Sequence, residues 1–153
     1  MHADSDPGLA SLEFTQEALA KIMKNIVLLV DDDDNIVDLL SALFLQNDWL
    51  PERANCASEG LVCASRALPT VVICDLQMPG MSGFEFAGQM RQMYGARCPR
   101  LIAFSGWPEH DIAQLALAAG FDTLIRKPAE FARIFEAATS VSRTMQLSVN
   151  DAT

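Results

Sequence analysis

A chain of 153 residues has the usual size of one domain and enough length to bury a sizeable core. Hydrophobic residues make up 50% and charged residues 20%, a globular rather than a disordered composition. Eleven Lys and Arg against 20 Asp and Glu leave a net charge of −9, which gives no electrostatic footprint for phosphate backbones or anionic lipid and argues against direct nucleic-acid binding.

Residues 1–10, MHADSDPGLA, are polar and read as a flexible tail. They lack the basic and apolar regions of a signal peptide, and no apolar run approaches the roughly 18 residues a membrane span needs. The expectation is a soluble, cytoplasmic protein with no membrane partner. Next, SLEFTQEALAKIM places Leu12, Leu19, Ile22 and Met23 at helical spacing, with Ser11 as N-cap. Residues 1–24 therefore read as an extension with one short helix.

From residue 25 onward the pattern alternates between two periods. The runs NIVLLV, TVVIC, RLIAFS and DTLIR, and a weaker LPERAN, are apolar without strict alternation, as in parallel strands buried on both faces. Between and after them lie the helical segments NIVDLLSALFLQN, SEGLVCASRA, GFEFAGQMRQM, EHDIAQLALAAG and AEFARIFEAATSVSR. These β/α units imply an α/β doubly wound parallel sheet, with right-handed crossovers and helices on both faces. Pro51 cannot donate to a ladder, so the second strand belongs on an edge. That agrees with a flavodoxin-like, five-stranded order 2-1-3-4-5. Residues 25–145 form this domain, 146–153 a flexible C-terminal tail, and no second domain fits in what remains.

The cysteines, Cys56, Cys63, Cys74 and Cys98, contain no C-x-x-C pair. Zinc has little support from them, and reduced thiols suit a cytosolic chain. In Phe131, Ile134, Phe135 and Ala138 the last helix has a stripe that is first a packing face and second a surface for a homodimer.

In such a sheet ligands bind beyond the carboxyl ends of the strands, at the point where strand order reverses. The first run closes in Asp31 and Asp32, the third in Asp75, the fourth in Ser105 and the fifth in Lys127. Three carboxylates, a hydroxyl and a lysine thus converge on one crevice.

The segments VLLVDD, VVICDLQMPGMSG, LIAFSG and LIRKP, in this order and at these separations, resemble the four signature segments of the response-regulator receiver domain. The resemblance covers about residues 25–145. It implies a CheY-like phosphoacceptor of a two-component system or phosphorelay. Several carboxylates in one cleft ionise cheaply only beside a cation, and hard oxygen donors suit Mg²⁺. By carry-over, Asp31 and Asp32 hold the Mg²⁺, Asp75 is both ligand and nucleophile, and the backbone carbonyl of Gln77 completes the protein ligands. Asp75 forms an aspartyl phosphate, Lys127 spreads charge on the transferring oxygens, Ser105 hydrogen-bonds the phosphoryl group, and Gly106 leaves it room. The Lys127–Pro128 bond is typically cis in the family. The QMPGMSG stretch reads as a loop, its glycines explained by turn chemistry alone.

One position departs from the family pattern. Leu124 stands where receivers usually carry Tyr or Phe, which puts an aromatic rotamer switch in doubt. Trp107 and Phe121 read as packing residues, Trp107 equally as a shield over the acyl phosphate or a partner contact, and His110 as a surface residue at a helix start. Asp33 and Asp34 read as the start of the first helix, with Asp34 as its cap.

The implied function is phosphoryl transfer from a phosphohistidine of a sensor histidine kinase or histidine phosphotransfer protein. Output then follows through altered contacts with a downstream protein target, or as a phosphate sink. The protein is not an enzyme beyond its own phosphorylation and dephosphorylation. A receiver belonging to a hybrid histidine kinase has the same core. The alternative is a small haloacid-dehalogenase-type phosphatase with Asp31 as nucleophile and Asp33 in its D-x-D, which lacks an acidic pair after Lys127. A calcium loop starting at Asp31 fails at Ile36 and Ala42.

Overall fold

The computed structural model describes residues 25–108 and 110–140. The helix expected at 11–23, the tail at 146–153 and the far end of the last helix lie outside them. In chain order the elements are β1 (Ile26–Val30), α1 (Asp34–Gln46), β2 (Leu50–Ala54), α2 (Ala57–Ala67), β3 (Val71–Cys74) and α3 (Gly83–Tyr94). A 3₁₀ turn (Gly95–Arg97), β4 (Arg100–Ser105), α4 (Ile112–Ala119) and β5 (Thr123–Arg126) follow. A last helix, α5, occupies 131–140. All strands are parallel, in the order β2-β1-β3-β4-β5.

The unalternating apolar runs are explained by burial on both sides. Val27 and Leu29 of β1, Val71 and Ile73 of β3, and Ile102 and Phe104 of β4 join one core with α1 and α5. Leu28, Val30, Val72, Cys74, Leu101 and Ala103 point the other way, into the core under α2, α3 and α4. On the α1/α5 side, Phe44 is fully buried between Trp49 (ring centroids 5.4 Å apart) and Phe131 (5.1 Å). Truncating such a ring to alanine costs about 3–5 kcal/mol.

Pro51 lies on the edge strand, paired in register with Val27. The neighbouring Leu50 N–H donates to the Asn25 carbonyl at 2.8 Å. Alternate residues of a parallel strand face the same neighbour, so the nitrogen of Pro51 points away from β1 and its missing hydrogen removes nothing from the ladder.

Two local expectations needed correction. Helix α4 begins at Ile112, later than EHDIAQ suggested, and Asp111 before it makes no side-chain cap. The 3₁₀ turn at Gly95–Arg97 was not foreseen; Gly95 ends α3 at φ +53, a conformation open to glycine.

Candidate functional site

Strand register brings the site together. Val30 pairs with Cys74, so the next residues, Asp31 and Asp75, emerge side by side, and the Asp75 N–H donates to the Val30 carbonyl at 2.9 Å. Ser105 pairs with Arg126, and the Lys127 N–H donates to the Ser105 carbonyl at 2.8 Å. Asp31, Asp75 and Ser105 are buried at 5%, 9% and 2% exposure, while Asp32 is exposed. One carboxylate oxygen from each of Asp31, Asp32 and Asp75 falls within a 4.8 Å cluster.

Lys127 bridges the two buried carboxylates. Its Nζ donates to Asp31 Oδ2 at 2.9 Å and stands 3.6 Å from Asp75 Oδ2, with the Phe104 ring centroid 5.3 Å away. Lys127–Pro128 is cis. Gln77 is exposed, and its N–H donates to Asp75 Oδ1 at 3.3 Å. Ser105 Oγ accepts from the Trp107 N–H at 3.1 Å, which leaves the hydroxyl proton to donate elsewhere. A Cβ on Gly106 would meet only Lys127 Cβ, at 3.9 Å, so the space there is open.

Burial pushes the Asp75 carboxyl above its ordinary range; the Lys127 ammonium opposes this, the Asp31 charge adds to it, and the N–H groups of Gln77 and Leu76 oppose it. Two carboxylates and one ammonium in a half-dry pocket leave unneutralised negative charge. Three carboxylates offering hard oxygens match a divalent cation of the Mg²⁺ type. Cys74 is not part of this chemistry. Burial, then the Asp75 and Asp31 charges, push its thiol well up, and its sulfur lies 3.1 Å from the Asp75 carbonyl oxygen.

The loop after Asp75 carries a contact that turn chemistry does not reveal. Gly80 has φ +80, as a turn glycine should, but Gly83 is present because of crowding. A Cβ at Gly83 would sit 2.2 Å from the Asp75 carbonyl oxygen and 2.8 Å from Leu76 Cα. The available sequence signal was a glycine directly after the helix cap Ser82, where propensity alone disfavours it.

The aspartate run separates as expected, with one shift. Asp31 Oδ1 accepts from the Asp33 N–H at 2.9 Å, which tightens the turn so that Asp33, not Asp34, becomes the N-cap. Asp33 accepts from the Asn35 N–H at 3.0 Å, and Asp34 is the first helical residue. Phe121 is core. Trp107 packs edge-on to Phe84 at 6.0 Å, and its carbonyl accepts from Arg126 at 3.1 Å, a tie between the β4–α4 loop and β5 that the sequence did not disclose. Leu124 packs against the core on the same side, and His110 is exposed.

The sequence profile of the response regulator receiver domain matches residues 27–139. The chain belongs to the receiver domain family. An uncharacterised 14.6 kDa protein of Leptolyngbya boryana is 32% identical over 68% of this chain and 79% of its own length. Response regulator SaeR of Staphylococcus epidermidis is 30% identical over 67% of this chain but only 43% of its own length, so the present chain spans less than half of that relative. The solved structure of the chemotaxis response regulator CheY4 of Vibrio cholerae superposes with a TM-score of 0.71 at 25% identity, covering 78% of this chain and 99% of that one.

The fold is thus that of a receiver, homologous to response regulators and to receivers of hybrid kinases. It is a signalling domain rather than a member of a typical enzyme family. The match to the receiver family displaces the phosphatase alternative, and Asp33 of its D-x-D caps α1. Among the described residues no helix is long and apolar enough to cross a membrane, and all of the cysteines are free.

Proposed function

We propose that this receiver accepts a phosphoryl group on Asp75 from a phosphohistidine of a sensor histidine kinase or histidine phosphotransfer protein. The observation that carries it is the convergence of buried Asp75 and Asp31 on the single ammonium of Lys127. An Asp75 carboxylate oxygen bonds to phosphorus as the P–N bond breaks, and its electron pair leaves with the imidazole nitrogen. Asp31, Asp32 and Asp75, with the Gln77 backbone carbonyl, would hold Mg²⁺. When bound, that ion neutralises the carboxylates and the transferring oxygens. Lys127 then turns from Asp31 toward the phosphoryl oxygens, Ser105 donates its free hydroxyl proton to one of them, and the open space at Gly106 admits the group. Attachment of the phosphoryl group shifts an existing equilibrium toward a form with different affinity for a downstream protein. With Leu124 in place of an aromatic, that shift runs through the Ser105–Trp107 loop and not through a ring rotamer at position 124.

The test is incubation with acetyl phosphate and Mg²⁺, borohydride trapping and mass spectrometry. Label on Asp75, absent in Asp75→Asn, supports the reading. Label on Asp31, or sustained turnover of phosphate esters, overturns it.

A further inference from the structure

Strand β4 closes in Ser105, and the residues that follow, 106–108, belong to no helix or strand. Trp107 in this stretch is nevertheless held at three points. Its N–H donates to Ser105 Oγ at 3.1 Å, its carbonyl accepts from the Arg126 guanidinium at 3.1 Å, and its ring stands edge-on to Phe84 with centroids 6.0 Å apart. Both polar contacts act on backbone groups of one residue, so together they set the course of the chain as it leaves the strand.

Strand register decides which side chain of β5 makes this link. Ser105 pairs with Arg126, and partners in a parallel ladder share a face of the sheet. Successive residues of a strand point to opposite faces. Lys127 accordingly turns to the α1/α5 side, where its ammonium stands 5.3 Å from the Phe104 ring centroid. Arg126 turns to the other side, where Leu124 and Trp107 pack. Leu124 has no polar atom, so on this side the polar link from β5 to the loop is that of Arg126. Its charged donor makes the stronger kind of hydrogen bond to a carbonyl. A serine hydroxyl has one proton and two lone pairs. With the Trp107 N–H on one lone pair, the directions left for the proton are narrowed for as long as Arg126 holds Trp107 in place.

Given Asp75 as the phosphoacceptor, on which this rests, we infer that Arg126 is a positioning residue for phosphoryl transfer, acting through the Trp107 backbone on the hydroxyl of Ser105. Arg126 and Lys127, consecutive in the chain, then serve the site from opposite faces of the sheet, the second by its charge and the first at one remove.

The rate of Asp75 labelling by acetyl phosphate at saturating Mg²⁺ tests the role, because Arg126 is exposed and its replacement leaves the core intact. Arg126→Met should slow labelling about tenfold, less than the roughly 100-fold that follows loss of a donor itself. Arg126→Lys, which keeps a charged donor, should restore the rate. In a Ser105→Ala background Arg126→Met should change nothing further, an outcome that a merely structural role would not give. Hydrogen exchange at the Trp107 amide should quicken in Arg126→Met and not in Arg126→Lys. An Arg126→Met chain that labels at the parental rate, or whose effect persists undiminished beside Ser105→Ala, overturns the role of Arg126 and leaves Asp75 as phosphoacceptor. An unaltered chain that gives no label on Asp75 overturns both.

Discussion

The carbonyl oxygen of Asp75 lies 2.2 Å from the point where Gly83 would carry a Cβ, so the first residue of α3 is seated directly on the backbone of the central carboxylate. The second closest approach is to Leu76 Cα, at 2.8 Å. Both obstacles are backbone and cannot swing aside, so the position of α3 and the aim of Asp75 are set together.

Gly83→Ala should therefore destabilise. In a helix Ala normally outranks Gly by about 1 kcal/mol, and here the sign should reverse to a loss of about 1–3 kcal/mol from overpacking. The urea midpoint reads the loss, and acetyl phosphate labelling of Asp75 should slow in the same variant. An unchanged or raised midpoint would show that α3 slides away from Asp75 without cost.

Asp75→Asn should stabilise the metal-free protein at neutral pH. The folded carboxyl titrates above its ordinary value of 3.8, chiefly because burial disfavours its charge. Between 3.8 and that raised value the unfolded chain has released the proton and the folded chain retains it, so stability falls as pH rises through the window. At higher pH the whole penalty is present. The Asn variant lacks it, so its melting temperature should exceed that of the parent at pH 7, with the difference vanishing below the ordinary carboxylate range. A variant melting lower than the parent at pH 7 contradicts the assignment.

Mg²⁺ should reverse that order. At tenfold excess over its Kd a ligand of the native state adds about 1.4 kcal/mol, and it should do so for the parent chain. Asp31→Asn and Asp75→Asn should show a much smaller shift, because each removes one of the carboxylates in the 4.8 Å cluster. Thermal melts with and without the ion decide the matter.

Lys127→Met should separate stability from chemistry. Without the ammonium at 2.9 Å from Asp31 and 3.6 Å from Asp75, two buried carboxylates face each other unpaired, and the metal-free fold weakens. Saturating Mg²⁺ should restore much of the stability. Labelling of Asp75 should still fall about 100-fold, the usual cost of removing one charge-stabilising donor. Full labelling of a stable Met variant would remove Lys127 from the proposed chemistry.

What could be read in advance followed from periodicity and chain punctuation. Runs such as VVIC and RLIAFS disclosed two-faced burial, Pro51 disclosed the edge, and with strand order known Asp31, Asp75, Ser105 and Lys127 had to meet. Contacts fixed by tertiary distance stayed hidden. Nothing in MSGFE tells that Gly83 abuts Asp75, and nothing in IRK tells that Arg126 reaches the Trp107 carbonyl. The N-cap at Asp33 was missed by one residue because it depends on the hydrogen bond from its own N–H to Asp31, a bond invisible in a run of four identical side chains.

The outward nitrogen of Pro51 has a consequence for life at high concentration. An edge strand invites another chain to extend the sheet through its unused donors. Here one of the donors facing solvent is absent, and the exposed Glu52 and Arg53 flank the gap. A neighbouring molecule attempting strand addition along β2 finds a missing hydrogen bond and charged side chains to desolvate. Extension of the sheet along its β2 edge is thereby discouraged.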